Sequence, residues 1–255
     1  MKITAWSPGR KSGGVTANIV ALSTFLSSHY DVSIGLRSNH FCERMMEDYF
    51  SVTSTIKPIA GGNSFFSGWG SPDYIKYLLD YKDKYERRSY RGHMAVGCRG
   101  KISLYAPQEP YEDKPFPNTD DELFIVDASG ENSYAAFEAM DHADLRMIFL
   151  PGDIGEAIHQ FRPYKAYAGR ALFLFNRRNT REKPTVSDFC QEFKIKRSRV
   201  FSLPYCADLE RACLRGEVDL MALYHLWPTD SEYFQKADLI AKKLISLNEN
   251  VNNIF

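Results

Sequence analysis

The sequence predicts an α/β fold with a mostly parallel central sheet between layers of helix. Three observations carry this. The first thirty residues give a strand, a glycine-rich loop and a helix in direct succession. A continuous apolar run ending in a carboxylate, Phe124-Ile125-Val126-Asp127, lies about 110 residues beyond that loop, as a strand buried on both faces requires. Short apolar runs then alternate with helical periodicities to the end of the chain, the pattern of successive strand–helix–strand units.

Lys2-Ile3-Thr4-Ala5-Trp6 reads as a short buried strand, and residues 7–14 as a loop broken by Pro8, Gly9, Gly13 and Gly14. From Thr16, Ile19, Leu22, Ser23 and Leu26 recur at helical spacing up to Tyr30. This layout aims backbone N–H groups and a helix N-terminus at a phosphate. Residues 31–36 predict a second strand and 41–50 a short helix, with a further extended piece at 51–59. A Gly/Ser-rich loop over 60–72 carries Phe65, Phe66 and Trp69, which either contact a partner or fold back onto the body. Residues 73–88 predict a helix with Tyr74, Tyr77, Leu78, Tyr81 and Tyr85 on one face.

Strands are predicted at 93–98, 101–105, 122–127, 145–150, 170–175 and 200–203. Helices are predicted at 134–143, 152–161, 186–193, 207–215, 220–226 and 231–247. On the last helix Tyr233, Ala237, Ile240, Leu244 and Leu247 form one stripe. No repeat or low-complexity block interrupts residues 1–255, which read as a single domain.

Lys plus Arg and Asp plus Glu number 32 each, so the net charge is zero and a globally basic nucleic-acid binder is disfavoured. Five widely spaced cysteines form no C-x-x-C pair, which argues for reduced thiols over a zinc site. No apolar run reaches the roughly 18 residues of a membrane span, and no basic segment precedes an apolar leader. The expected compartment is the cytoplasm, without stable membrane insertion.

The glycine loop and the acid-ended strand belong together in P-loop folds, where a later strand supplies an Asp that reaches magnesium. The chain more specifically resembles the ParA/MinD family of deviant Walker-A ATPases, nearest to its divergent CpaE/TadZ branch. Gly14-Val15-Thr16-Ala17 falls on that family's G-K-T-T. Ser129-Gly130-Glu131, and Ala143-Asp144 before Met147–Leu150, resemble its segment after Walker B. Leu172–Asn176 resembles the strand ending in the asparagine that reads adenine, and Phe201–Tyr205 with Ala212 and Gly216 resembles its "I-P-Y-D…A…G" stretch.

The resemblance implies a P-loop NTPase-like three-layer α/β/α fold over the whole chain. It implies phosphate binding by Gly9, Arg10, Lys11, Ser12, Gly13, Gly14, Val15, Thr16 and Ala17, base binding by Asn176, Pro204 and Tyr205, and magnesium at Thr16 and Asp127. ATP or ADP with Mg2+ is the implied cofactor. Val15 stands where the phosphate-bridging lysine belongs, and Arg37 and Asn39 stand where the second strand usually ends in two aspartates. Such charges are worth roughly 10³ or more in phosphoryl-transfer rate, so the chain reads as a nucleotide binder with weak or no hydrolysis, at most a slow ATPase using Arg10 or Lys11.

The implied role is a switch or scaffold, working as a homodimer with a protein partner of a larger assembly. It would position or partition a cargo such as a DNA element or a secretion, pilus or conjugation apparatus. Arg177, Arg178, Lys194, Lys196, Arg197 and Arg199 offer a non-specific DNA contact, or a solvated face. The alternative is a pseudo-ATPase scaffold without nucleotide. In it the loop is a Gly/Pro turn, Asp127 caps a helix and Asn176 is a turn residue.

Overall fold

The computed structural model describes residues 1–9, 14–38, 46–50, 93–96, 101–105, 115–129, 133–176, 184–224 and 231–252. Among these, eight strands form one sheet. They are β1 (Lys2–Trp6), β2 (Ile34–Ser38), β3 (His93–Val96), β4 (Ile102–Tyr105), β5 (Leu123–Asp127), β6 (Leu145–Leu150), β7 (Ala171–Asn176) and β8 (Val200–Leu203). Their order across the sheet is β3-β4-β2-β5-β1-β6-β7-β8. All neighbours run parallel except β3, an antiparallel edge strand on β4.

The helices are α1 (Val15–Tyr30), α2 (Tyr134–His142), α3 (Ile154–Phe161), α4 (Val186–Glu192), α5 (Ala207–Arg215), α6 (Val218–Tyr224) and α7 (Glu232–Asn252). Because side chains alternate across a strand, β5 sends Leu123 and Ile125 to one face and Phe124 and Val126 to the other. The first face packs on α1, α5, α6 and α7. The second packs on α2, α3 and α4, where Phe161, Phe173, Phe175, Phe189 and Phe193 meet mostly edge to face. The result is the expected three-layer α/β/α arrangement with a mostly parallel sheet.

α1 is buried almost all round, including Val15, Ile19, Val20, Leu22, Phe25 and Leu26, because the sheet lies on one side and α6 and α7 on the other. Each fully buried Leu or Phe contributes about 1.5–3 kcal/mol. Packing, rather than any one hydrogen bond, therefore fixes the helix that begins at the loop. On α7, Tyr233, Ala237, Ile240 and Leu244 are buried, so the apolar stripe faces the body. Among the described residues no helix is long and apolar enough to cross a membrane.

Several boundaries differ from the sequence reading. β2 starts at Ile34 rather than Asp31, because Asp31 closes α1 in the left-handed region (φ 59) and Ser33 is tied to Glu122. Within 41–50 the described part is one 3₁₀ turn, Met46–Tyr49. α6 begins at Val218, directly after Gly216 ends α5 at φ 70. α7 continues past Leu247 to Asn252. The extended piece at 51–59, the aromatic loop at 60–72 and the helix at 73–88 lie outside the described residues.

Candidate functional site

The carboxyl ends of β1, β2 and β5 are level, with Ala5 and Ser38 both paired to Asp127. Parallel open sheets place ligands at this edge, where successive connections diverge to opposite sides. Here β1 leads through α1 to β2 on one side, while β6 lies on the other.

The loop ends at Gly14, the N-cap of α1, in the left-handed region (φ 96) where a side chain is strained. Its carbonyl accepts from the Asn18 backbone N–H at 2.9 Å and from Asn18 Nδ2 at 2.7 Å. Thr16 Oγ1 donates to Asp127 Oδ2 at 2.5 Å, and the Ser129 N–H donates to Asp127 Oδ1 at 2.9 Å. Asp127 is buried at the end of β5. The carboxylate thus ties the first turn of α1 to the end of β5 and stands beside the Thr16 hydroxyl.

Asn176 closes β7 and pairs with Leu203, so Pro204 and Tyr205 follow beside it at the end of β8. All three line a cleft of about 240 Å³, whose walls also include Gly14, Asn18 and Tyr233. The loop end and the base-binding candidates therefore share one cavity. Tyr205, half exposed, donates its hydroxyl to Glu210 at 2.5 Å. Among the described lining residues Glu210 is the charged group.

Val15 is 2% exposed and belongs to the apolar cluster beneath the sheet. Gly9 follows β1 with its N–H on Ser7 Oγ at 3.4 Å, and Ala17 lines the cleft. Arg10, Lys11, Ser12, Gly13, Asn39, Gly130, Glu131, Arg177 and Arg178 lie outside the described residues. Arg37 is buried in β2, paired with Tyr105 and Val126. Arg197 and Arg199 each donate to a backbone carbonyl, of Val200 at 2.6 Å and Gly169 at 2.5 Å.

A hydroxyl and a carboxylate are hard oxygen donors, the kind Mg2+ takes alongside phosphate oxygens. The left-handed glycine at the head of α1 supplies the close backbone approach that a phosphate needs. The residues present at these positions fit a magnesium nucleotide. Two groups escaped the sequence reading. Asn18 sits on a helix whose other inward residues are mostly apolar, and Tyr233 reads only as part of a stripe; yet Tyr233 donates to Asn18 Oδ1 at 2.7 Å. A polar residue four places after the loop glycine was the available signal.

No family model and no curated protein matches the chain. Solved structures do. A ParA family ATPase from Chlorobium tepidum TLS superposes with a TM-score of 0.61 at 13% identity, over 94% of this chain and 98% of that one. The fold is that of the ParA/MinD ATPases. MinD in the MinC:MinD cell division complex of Aquifex aeolicus gives 0.61 at 15% identity, with 96% of both chains covered. MinD from Pyrococcus horikoshii OT3, complexed with Mg-ADP, gives 0.58 at 10% identity over 95% of each. These superpositions cover 94–96% of this chain.

Proposed function

We propose that the chain is a degenerate ParA/MinD-like nucleotide-binding protein. ATP or ADP with Mg2+ acts in it as a switch, with weak or no hydrolysis. The observation that carries this reading is the Thr16–Asp127 pair, with Thr16 two positions after Gly14, which itself lines one cleft with Asn176, Pro204 and Tyr205. In this reading Gly14 and the preceding loop cradle the phosphates, Thr16 and Asp127 hold the metal, and Asn176 orients the base. Magnesium, when bound, supplies positive charge at the phosphate oxygens. A MinD of this fold is complexed with Mg-ADP, which supports the choice of ligand. Slow turnover follows from Val15, an apolar side chain where a cation is needed.

The wider role rests on the same likeness. Residues 1–255 act as one CpaE/TadZ-like domain in the cytoplasm, forming a nucleotide-dependent homodimer. That dimer recruits a protein partner to position or partition a cargo, and MinD in a MinC:MinD complex is a precedent for such a partner. Lys194, Lys196, Arg197 and Arg199, with Arg177 and Arg178, supply a basic surface for non-specific DNA.

Isothermal titration with ATP and ADP, with and without magnesium, tests the reading. Saturable heat that strengthens with magnesium is expected. No heat and no melting shift at millimolar nucleotide would leave the second reading, a scaffold without ligand. The burial of Val15 in the apolar cluster favours that alternative.

A further inference from the structure

Three groups, two of them from distant parts of the chain, meet at the Asn18 amide. Asn18 Nδ2 donates to the Gly14 carbonyl at 2.7 Å and reaches Asn176 Oδ1 at 3.5 Å, while Asn18 Oδ1 accepts from the Tyr233 hydroxyl at 2.7 Å. A backbone carbonyl only accepts, so the Gly14 contact fixes which end of the Asn18 amide faces the loop. The other end must then face a donor. Burial pushes the Tyr233 phenol far above its ordinary value, with Cys206 and Cys213 adding to the effect, so it keeps its proton. Both Asn18 and Tyr233 are almost fully buried, at 5% and 2% exposed.

We propose that Tyr233 is a positioning residue for the nucleotide site: acting through Asn18, it holds the loop end and Asn176 in register and so couples the cleft to α7. This rests on the nucleotide reading above. Tyr233 and Asn18 both form part of the cleft wall, so a base seated on Asn176 bears on the same amide that α7 supports. Coupling of this kind is reciprocal. If α7 packing aids binding, then binding steadies the first turns of α7. α7 would then report whether the cleft is occupied.

The test compares wild type with Tyr233→Phe, which keeps the ring and removes the donor. Leu239→Ala, at a half-exposed α7 position, is the control. Mg-ADP binding is measured by titration calorimetry, and backbone exchange of α7 by hydrogen–deuterium mass spectrometry. Tyr233→Phe is expected to weaken Mg-ADP roughly five- to tenfold, the worth of about one buried hydrogen bond. In wild type and Leu239→Ala, Mg-ADP is expected to slow exchange in the first turns of α7; in Tyr233→Phe that protection is lost. A merely structural hydroxyl would lower the melting temperature and leave the nucleotide-dependent protection intact, which overturns the proposal. Equal affinity in wild type and Tyr233→Phe also overturns it, with the nucleotide reading standing. Wild type that binds no Mg-ADP overturns both. Should Tyr233→Phe unfold, Asn18→Ser provides the same comparison from the other partner.

Discussion

Thr16 Oγ1 lies 2.5 Å from Asp127 Oδ2, joining the first turn of α1 to the end of β5 across 111 positions of sequence. A loop-end hydroxyl bonded to a strand-end carboxylate places two hard oxygen donors side by side. The arrangement costs little to maintain, because the apolar packing of α1 already holds the helix against the sheet.

Thr16→Val separates site from scaffold. The substitution keeps the shape and removes the donor, while Asp127 retains the Ser129 N–H. The loss in unfolding free energy is expected to stay near 1 kcal/mol, the usual worth of a hydrogen bond. Magnesium should then no longer strengthen ADP binding. Urea unfolding and calorimetry with and without magnesium check the two halves; a large stability loss would mean that the pair is chiefly structural.

Gly35 provides a test of the sheet. A Cβ there would lie 2.4 Å from Phe124 Cδ2 and 2.6 Å from Asp121 Oδ2, and Phe124 is itself held edge-on by Tyr105 and Phe116. These two rings limit how far Phe124 can retreat. Gly35→Ala is expected to cost about 1–3 kcal/mol by overpacking, read as a lower denaturant midpoint with unchanged slope.

Much of this architecture was legible in the sequence. Lys2–Trp6, Leu145–Leu150 and Val200–Leu203 are apolar runs with few competing patterns, and their bounds match residue for residue. Asp127 was legible because a carboxylate ending such a run has few ordinary explanations. The Asn18–Tyr233 contact was not. Its partners are 215 positions apart, and a tyrosine on an apolar stripe gives no sign of where its hydroxyl points. The left-handed Asp31 was missed for a related reason, since a non-glycine cap leaves no composition mark.

The join between α1 and α7 carries a pH dependence. Tyr30 donates to Asp238 at 2.5 Å, and Lys242 pairs with the same carboxylate at 2.7 Å. Burial alone would raise the Asp238 pKa, but the hydrogen bonds from Lys242 and Tyr30 outweigh it and hold the pKa below the ordinary value. A depressed carboxylate adds stability above its unfolded pKa of about 4, and that stability is lost as pH falls through the folded value. Tyr30 is displaced upward, by burial first and then by Asp238. Its contribution is full below the unfolded phenol pKa of about 10 and is lost as pH rises through the folded value. Melting temperature should therefore fall at both extremes. Asp238→Asn should flatten the acid limb and Tyr30→Phe the alkaline one; unchanged limbs would refute the assignment.

Val15→Lys tests the proposed degenerate reading of the loop. At 2% exposure Val15 sits in the cluster formed by α1, β1 and their neighbours. An ammonium placed there has no water to solvate it and must either disrupt the packing or turn out to a phosphate. The ligand-free variant is expected to be destabilised by about 2 kcal/mol or more. If the lysine reaches the phosphates, Mg-ADP should raise its melting temperature more than that of wild type, through added affinity for the folded state. In the degenerate reading hydrolysis should remain slow, because the resemblance sets Asn39 where an aspartate is expected. Phosphate release alongside thermal unfolding reads both. A variant as stable as wild type that also turns over ATP briskly would mean that the loop has kept room for its lysine, and the degenerate reading would fall.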